Sequence, residues 1–281
     1  MCKFKMKLFF YIVYIILSIL VLNSCSASHK LNSNKKNCNN ELLRKVHKDK
    51  RLWIFYTDSV FPNREILSYI YLKKLTLHGT NKQIKIDTSE LKKFKFLENL
   101  IIDNVNLKEF PTVLSSLKTL KELTIYNCNL QQIPDSIKYF KNLEYLDLRF
   151  NKIDSIPQSI KDMPNLKYLF IGNNNLYNIP LILLKCDNLV TVGLDNYIPE
   201  YFKHRKLSYP HNFNKIDYIN EFSSLEALLK KESIKRINIT LNKDKNRQFI
   251  EEKLNKKLLK KLKFVFPSNS YLSNYPQYQK D

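Results

Sequence analysis

Two groups of residues have types and spacing that suit chemistry: the cysteines, and a run of aromatic residues with one arginine. The five Cys stand at 2, 25, 38, 128 and 186 without C-x-x-C spacing, so no zinc or thioredoxin-type motif can be written. The five His, at 29, 47, 78, 204 and 211, show no H-x-x-x-H spacing. The three Gly, at 79, 172 and 193, exclude a glycine-rich phosphate loop. No G-x-S-x-G is present, and nothing singles out a pair of carboxylates. The sequence therefore offers no catalytic arrangement, metal site or cofactor site. The second group is Tyr126, Tyr145, Arg149, Phe150, Tyr168 and Phe170. It points to binding, because Tyr, Phe and Arg are enriched where interface energy concentrates.

Cys25 closes a segment that reads as a targeting signal. Lys3, Lys5 and Lys7 precede an apolar run from Leu8 to Leu22. A membrane-spanning helix needs about 20 apolar residues, and this run falls short, so an uncleaved anchor is the poorer reading. Leu22-Asn23-Ser24-Cys25 resembles the bacterial lipobox, with an aliphatic residue at −3 and a small residue directly before the Cys. Asn23 is less usual in that pattern. The resemblance implies that Cys25 receives a diacylglyceryl group and becomes the N-terminus once residues 1–24 are removed. Acyl chains, at about 0.8 kcal/mol per buried CH₂, would then hold the domain on a bilayer. The same resemblance implies that Ser26, being other than Asp, permits outer-membrane or cell-surface placement, as in lipoproteins of Gram-negative bacteria.

A repeat positions the aromatic group. Leu97, Leu120, Leu143, Leu166 and Leu189 recur at one constant interval. Leu100, Leu123, Leu146, Leu169 and Val192 follow each of them at the same offset, and Ile102, Ile125, Leu148, Ile171 and Leu194 come next but one after those. Leu72, Leu75 and Leu77 make an imperfect earlier copy. Phe110-Pro111, Ile133-Pro134, Ile156-Pro157 and Ile179-Pro180 then precede apolar pairs three apart, from Leu114 and Leu117 to Leu183 and Cys186. Each block thus reads as a short strand, a turn and a short helix whose apolar face turns back on the strand. One block has too few apolar side chains to offset the entropy of ordering it, so neighbours must share a core.

Period and L-x-x-L-x-L spacing resemble the leucine-rich repeat family over residues 72–199, with traces to 266. The resemblance implies an α/β solenoid, a horseshoe with parallel strands on its concave face and short helices on its convex face. The family's ninth position is usually Asn; here it is Val105, Cys128, Asn151, Asn174 and Tyr197, and Cys is a common substitute there. The second position alternates Glu98, Lys121, Glu144 and Lys167, a self-satisfying ladder across strands about 4.8 Å apart. The other outward positions gather Tyr126, Tyr145, Arg149, Phe150, Tyr168 and Phe170 in three consecutive repeats. The same positions lack aromatics between Leu189 and Asn196, which favours a ligand surface over a merely structural aromatic ladder.

The flanks divide by composition. Residues 1–24 form the signal, 25–40 a polar tether containing Cys38, and 41–71 an N-terminal cap with a β-prone stretch, Leu52 to Tyr56, around the single Trp53. Repeats occupy 72–199, degenerate repeats and a C-terminal cap 200–266, and a loose polar tail 267–281. Within 200–266, Glu221 to Lys231 and Phe249 to Leu258 read as helices. Ile234, Ile237 and Ile239, and then Leu259, Leu262 and Phe264, read as strands. Cys128 and Cys186 read as buried thiols.

The formal charge of +21 is uneven. Residues 97–188 carry ten charges of each sign, whereas 25–96 are net +10 and 189–281 net +8. Nucleic-acid binders put a basic stripe on their recognition surface, and here the most regular surface is neutral. Two readings of the basic ends stay open: a lysine-rich background, or attraction to anionic lipid or polymer. The cluster Lys256, Lys257, Lys260, Lys261 and Lys263 also suits an acidic partner. The sequence leads to a non-enzymatic, monomeric, lipid-anchored protein of the bacterial cell envelope. It would bind a protein or peptide ligand on its concave face, with no nucleic acid and no cofactor. The alternative is a structural or adhesive envelope protein acting through its basic ends.

Overall fold

Alternation within a strand sends Leu100 and Ile102 into the core and Asn99 and Ile101 to the open face. Repeating that choice every block builds the molecule. The computed structural model describes residues 51–56, 71–79, 87–107, 109–194, 216, 218, 220–240 and 244–265, all within one unit, Lys50–Asp281. Among the described residues nine strands form one parallel sheet in chain order. They are β1 Arg51–Tyr56, β2 Lys74–Gly79, β3 Asn99–Asp103, β4 Glu122–Tyr126, β5 Tyr145–Asp147, β6 Tyr168–Phe170, β7 Thr191–Gly193, β8 Arg236–Thr240 and β9 Leu262–Val265. This is a leucine-rich repeat solenoid.

The register keeps a single apolar column through the stack: Leu75, Leu100, Leu123, Leu146, Leu169, Val192, Ile237 and Leu262. All of these side chains are buried. The column continues from Val192 to Ile237 although the regular period lapses between them. Burial of one face, rather than sequence spacing, sets the pairing there.

Parallel strands need a crossover, and from β2 to β7 it is a 3₁₀ helix rather than an α-helix. These helices cover Thr88–Lys93, Thr112–Ser116, Asp135–Tyr139, Gln158–Asp162 and Leu181–Lys185. The physical reason is length: about five residues accommodate i→i+3 bonds but not a continued α ladder. Leu114 N–H donates to the Pro111 carbonyl at 3.1 Å, and Ile137, Ile160 and Leu183 repeat the bond to Pro134, Pro157 and Pro180. Each proline stands at the cap, just before the first helical residue, where a missing N–H costs nothing. Leu114, Ile137, Ile160 and Leu183 are fully buried against the strands.

Among the described residues three α-helices serve the C-terminal part: α1 Phe222–Lys230, α2 Asp244–Lys253 and α3 Lys256–Leu259. Leu225, Leu228 and Leu229 of α1 are buried. The signal, the tether with Cys38, Tyr197 and the tail lie outside the described residues. Trp53 pairs through its backbone with Thr76, and its side chain lies outside them too. Among the described residues no helix is long and apolar enough to cross a membrane.

Candidate functional site

The turns after β3, β4, β5 and β6 hold the open face in place. In each of them one residue adopts a left-handed backbone: Asn104, Asn127, Phe150 and Asn173 have φ of 57°, 54°, 60° and 52°. Asn tolerates this region better than other non-glycine residues. The next position buries an amide that satisfies the turn. Asn151 Oδ1 accepts from the N–H of Cys128 at 3.0 Å and of Leu130 at 3.1 Å. Its Nδ2 donates to the carbonyls of Ile125 at 2.8 Å and Leu148 at 2.9 Å. Asn174 repeats the pattern one block on, toward Ile153, Leu148 and Ile171. Cys128 is a shorter version of the same device: its thiol donates to the Tyr126 carbonyl at 3.1 Å.

Three of the six aromatic and arginine candidates are buried. Tyr126 is 0% exposed and Phe150 2%, with ring centroids 4.7 Å apart. Arg149 is 8% exposed. The expectation that Tyr126, Arg149 and Phe150 face outward is therefore corrected. Alternation fails for Tyr126 and Arg149 because they lie where the strand gives way to the left-handed turn, whereas Phe150 keeps the inward parity of Leu146 and Leu148. In that column neighbours cover each other: His78 meets Asp103 at 2.6 Å, and Tyr126 and Arg149 continue the buried row.

Tyr145, Tyr168 and Phe170 remain at the surface. Tyr168 is 39% exposed, and the other two are half-buried. The Tyr145 ring lies 6.2 Å from Tyr168 and 5.3 Å from Phe170. Beneath them Asp147 holds Arg149. Arg149 Nε donates to the two carboxylate oxygens at 2.9 and 3.2 Å, and Nη2 donates at 2.5 Å. The guanidinium carbon sits 5.2 Å from the Phe170 ring centre, a cation–π contact that fixes the ring from its underside. Burial, and then the nearby Asp147 charge, push the Tyr145 phenol far above its ordinary range, so it stays neutral. Sequence reasoning did not single out Asp147. Its signal was available, since the fifth residue of the block that opens at Leu143 has the outward parity of Tyr145 and Arg149.

The flanking charges are locally spent. Lys73 pairs with Glu98 at 2.5 Å and Lys167 with Glu144 at 2.7 Å. Each bond lowers the pKa of its glutamate, and Glu144 raises that of Lys167. Cys186 is buried, which pushes its thiol up to about 11. Among the described residues no group of His, Cys, Asp and Glu could hold a metal ion. Cys25 lies outside the described residues. The arrangement is thus a rigid aromatic platform, braced from below by an ion pair.

Residues 118–176 match the family model described as leucine rich repeat. No curated protein sequence matches the chain. Among solved structures, the chain is similar to a leucine-rich repeat protein of Leptospira interrogans, with a TM-score of 0.53 and 21% identity over 80% of this chain and 53% of that one. It spans about half the length of that protein. The leucine-rich repeat domain of the type III effector XopL superposes with a TM-score of 0.49 and 19% identity, over 76% of this chain and 77% of that one. Internalin C2 of Listeria monocytogenes superposes with a TM-score of 0.46 and 19% identity, over 70% and 83%. At these identities the likeness is one of fold.

Proposed function

We propose that this protein is a non-enzymatic recognition module of a bacterial cell envelope, anchored by lipid at Cys25. Its ligand is a protein or peptide that docks on the concave face at β5 and β6. Solenoid stacking creates an extended concave surface suited to such ligands. The observation that carries the reading is the exposed Tyr168 ring, set beside Tyr145 and Phe170 and braced through Arg149 and Asp147. Rings held rigid before binding lose little entropy on binding, which is what makes aromatic anchors effective. Arg149 acts here as the brace and not as a contact.

A photo-crosslinking residue in place of Tyr168, introduced into the full-length protein in its own cells, tests the docking face. The expected result is a discrete adduct with another polypeptide, absent when the same residue replaces the convex Tyr139. Equal adducts at both positions, or none at 168, would sink the proposal. Anchoring is tested separately: Cys25→Ala should abolish incorporation of labelled palmitate and release the protein from the membrane fraction. Membrane retention of an unlabelled Cys25→Ala protein would count against lipid anchoring.

A further inference from the structure

The concave face changes character within two strands of Tyr168. One column of the register reads Tyr145, Tyr168, Thr191, Arg236 and Lys261. At about 4.8 Å per strand, Arg236 lies about 10 Å from Tyr168. The neighbouring column alternates in sign from Lys73 through Glu98, Lys121 and Glu144 to Lys167, and then reads Val190, Lys235 and Lys260. Like charges on adjacent strands oppose each other, so the last two strands carry a cost that the earlier ones avoid.

Among the described residues, the lining of this patch does little to lift that cost. Arg236, Arg247, Lys260, Lys261 and Lys263 line a recess of about 420 Å³ with Leu262 and Phe264, and no carboxylate joins them. Glu251 pairs with Arg247 Nε at 2.7 Å. Lys261 Nζ is fixed by the carbonyls of Leu229 at 2.8 Å and Lys231 at 3.0 Å. Burial, and then Lys235 and Lys257, lower its pKa against an opposing pull from Glu232. Residues 267–281 contain one Lys and one Asp, so that stretch supplies no acidic segment. A flat bilayer meets the rim of a concave surface rather than its strands.

We infer that β8 and β9 receive an acidic peptide segment, carried by the same partner whose other side chains meet Tyr145, Tyr168 and Phe170. The carboxylates of that segment lie over Arg236, Lys260 and Lys263. Only the aromatic half of this inference rests on the function proposed above.

Two fluorescent probes test it with the full chain: a hexaglutamate peptide, and the same peptide with a short aromatic block at one end. Hexaglutamate should bind at low salt and weaken steadily between about 0.05 and 0.3 M. The triple variant Arg236→Glu/Lys260→Glu/Lys263→Glu should lose about tenfold or more in affinity. An equal reversal at Lys118, Lys141 and Lys161, away from the strands, should change nothing. Circular dichroism checks that both variants fold. Equal loss in the two variants overturns the inference, as does capture of anionic lipid vesicles or polyphosphate without capture of hexaglutamate. Tyr168→Ala should weaken only the probe with the aromatic block. If it leaves that probe untouched while the triple variant fails, the aromatic docking face is wrong and the acidic-peptide site stands.

Discussion

Phe150 holds a left-handed backbone with φ of 60°, and its ring packs 4.7 Å from that of Tyr126. The equivalent residue in neighbouring blocks is Asn104, Asn127 or Asn173, each in the same conformation. A bulky side chain in that region strains the backbone by about 1–2 kcal/mol. Burial of the ring against Tyr126 more than offsets it. The two residues are therefore a strained brace beneath the open face rather than part of it.

Phe150→Ala removes the ring and should destabilise the protein by about 3–5 kcal/mol. Phe150→Asn loses the same ring but recovers strain and can enter the ladder in which Asn127 Nδ2 donates to Asn104 Oδ1 at 3.0 Å. Urea unfolding should therefore rank wild type first, the Asn variant second and the Ala variant last. An Asn variant no better than the Ala variant would show that the backbone at 150 carries no strain.

Asn151→Ala leaves the buried N–H groups of Cys128 and Leu130 without their acceptor and removes a donor from the Ile125 carbonyl, while the Leu148 carbonyl keeps Asn174 Nδ2. Each unsatisfied buried group costs about 1–3 kcal/mol, so the loss should reach about 3 kcal/mol or more. Asn175→Ala is the control, because its side chain bonds the Lys152 carbonyl at an exposed site and should matter little. Comparable melting temperatures for the two variants would contradict this account of the turn.

Acid should loosen the outer ladder. Lys73 lowers the pKa of Glu98 and Lys167 that of Glu144, so the unfolded chain takes up protons first as pH falls. The stability of these pairs is complete above the ordinary glutamate range. It is lost as pH drops through the lowered values. Thermal melts between about pH 6 and about pH 3 should show a shallower decline for Glu98→Gln/Glu144→Gln than for wild type, and the gap should shrink in high salt. Parallel declines would mean the ladder contributes nothing measurable.

The thiol of Cys186 should be inert in the native protein. Burial pushes its pKa up to about 11, so little thiolate exists near pH 8, and the side chain is covered besides. Peptide-level mass spectrometry after iodoacetamide at that pH should find Cys186 unmodified until denaturant is added. Rapid native labelling would place the side chain at the surface.

How much was legible in the sequence follows from the range of the forces involved. The stack, its period and its apolar column could be read because strand alternation and shared burial act locally and repeat: Leu100, Leu123 and Leu146 each face the same choice. The alternating ladder of Glu98, Lys121, Glu144 and Lys167 was legible for the same reason, since residues one repeat apart meet by construction. Only the tertiary structure decided which outward positions are surface. Tyr126 and Arg149 sit where strand passes into turn, and side chains from adjacent blocks close over them, so alternation alone misplaces both. The convex segments became 3₁₀ rather than α-helical because the crossover is short, Thr112–Ser116 and Asp135–Tyr139 being typical. The cationic face on β8 and β9 also needed the fold. Lys260 and Lys263 were visible as a cluster, but Arg236 stands a whole repeat earlier in the chain and joins them only through register. Local pattern determines what each block does alone; contact between blocks decides which side chains a ligand can reach.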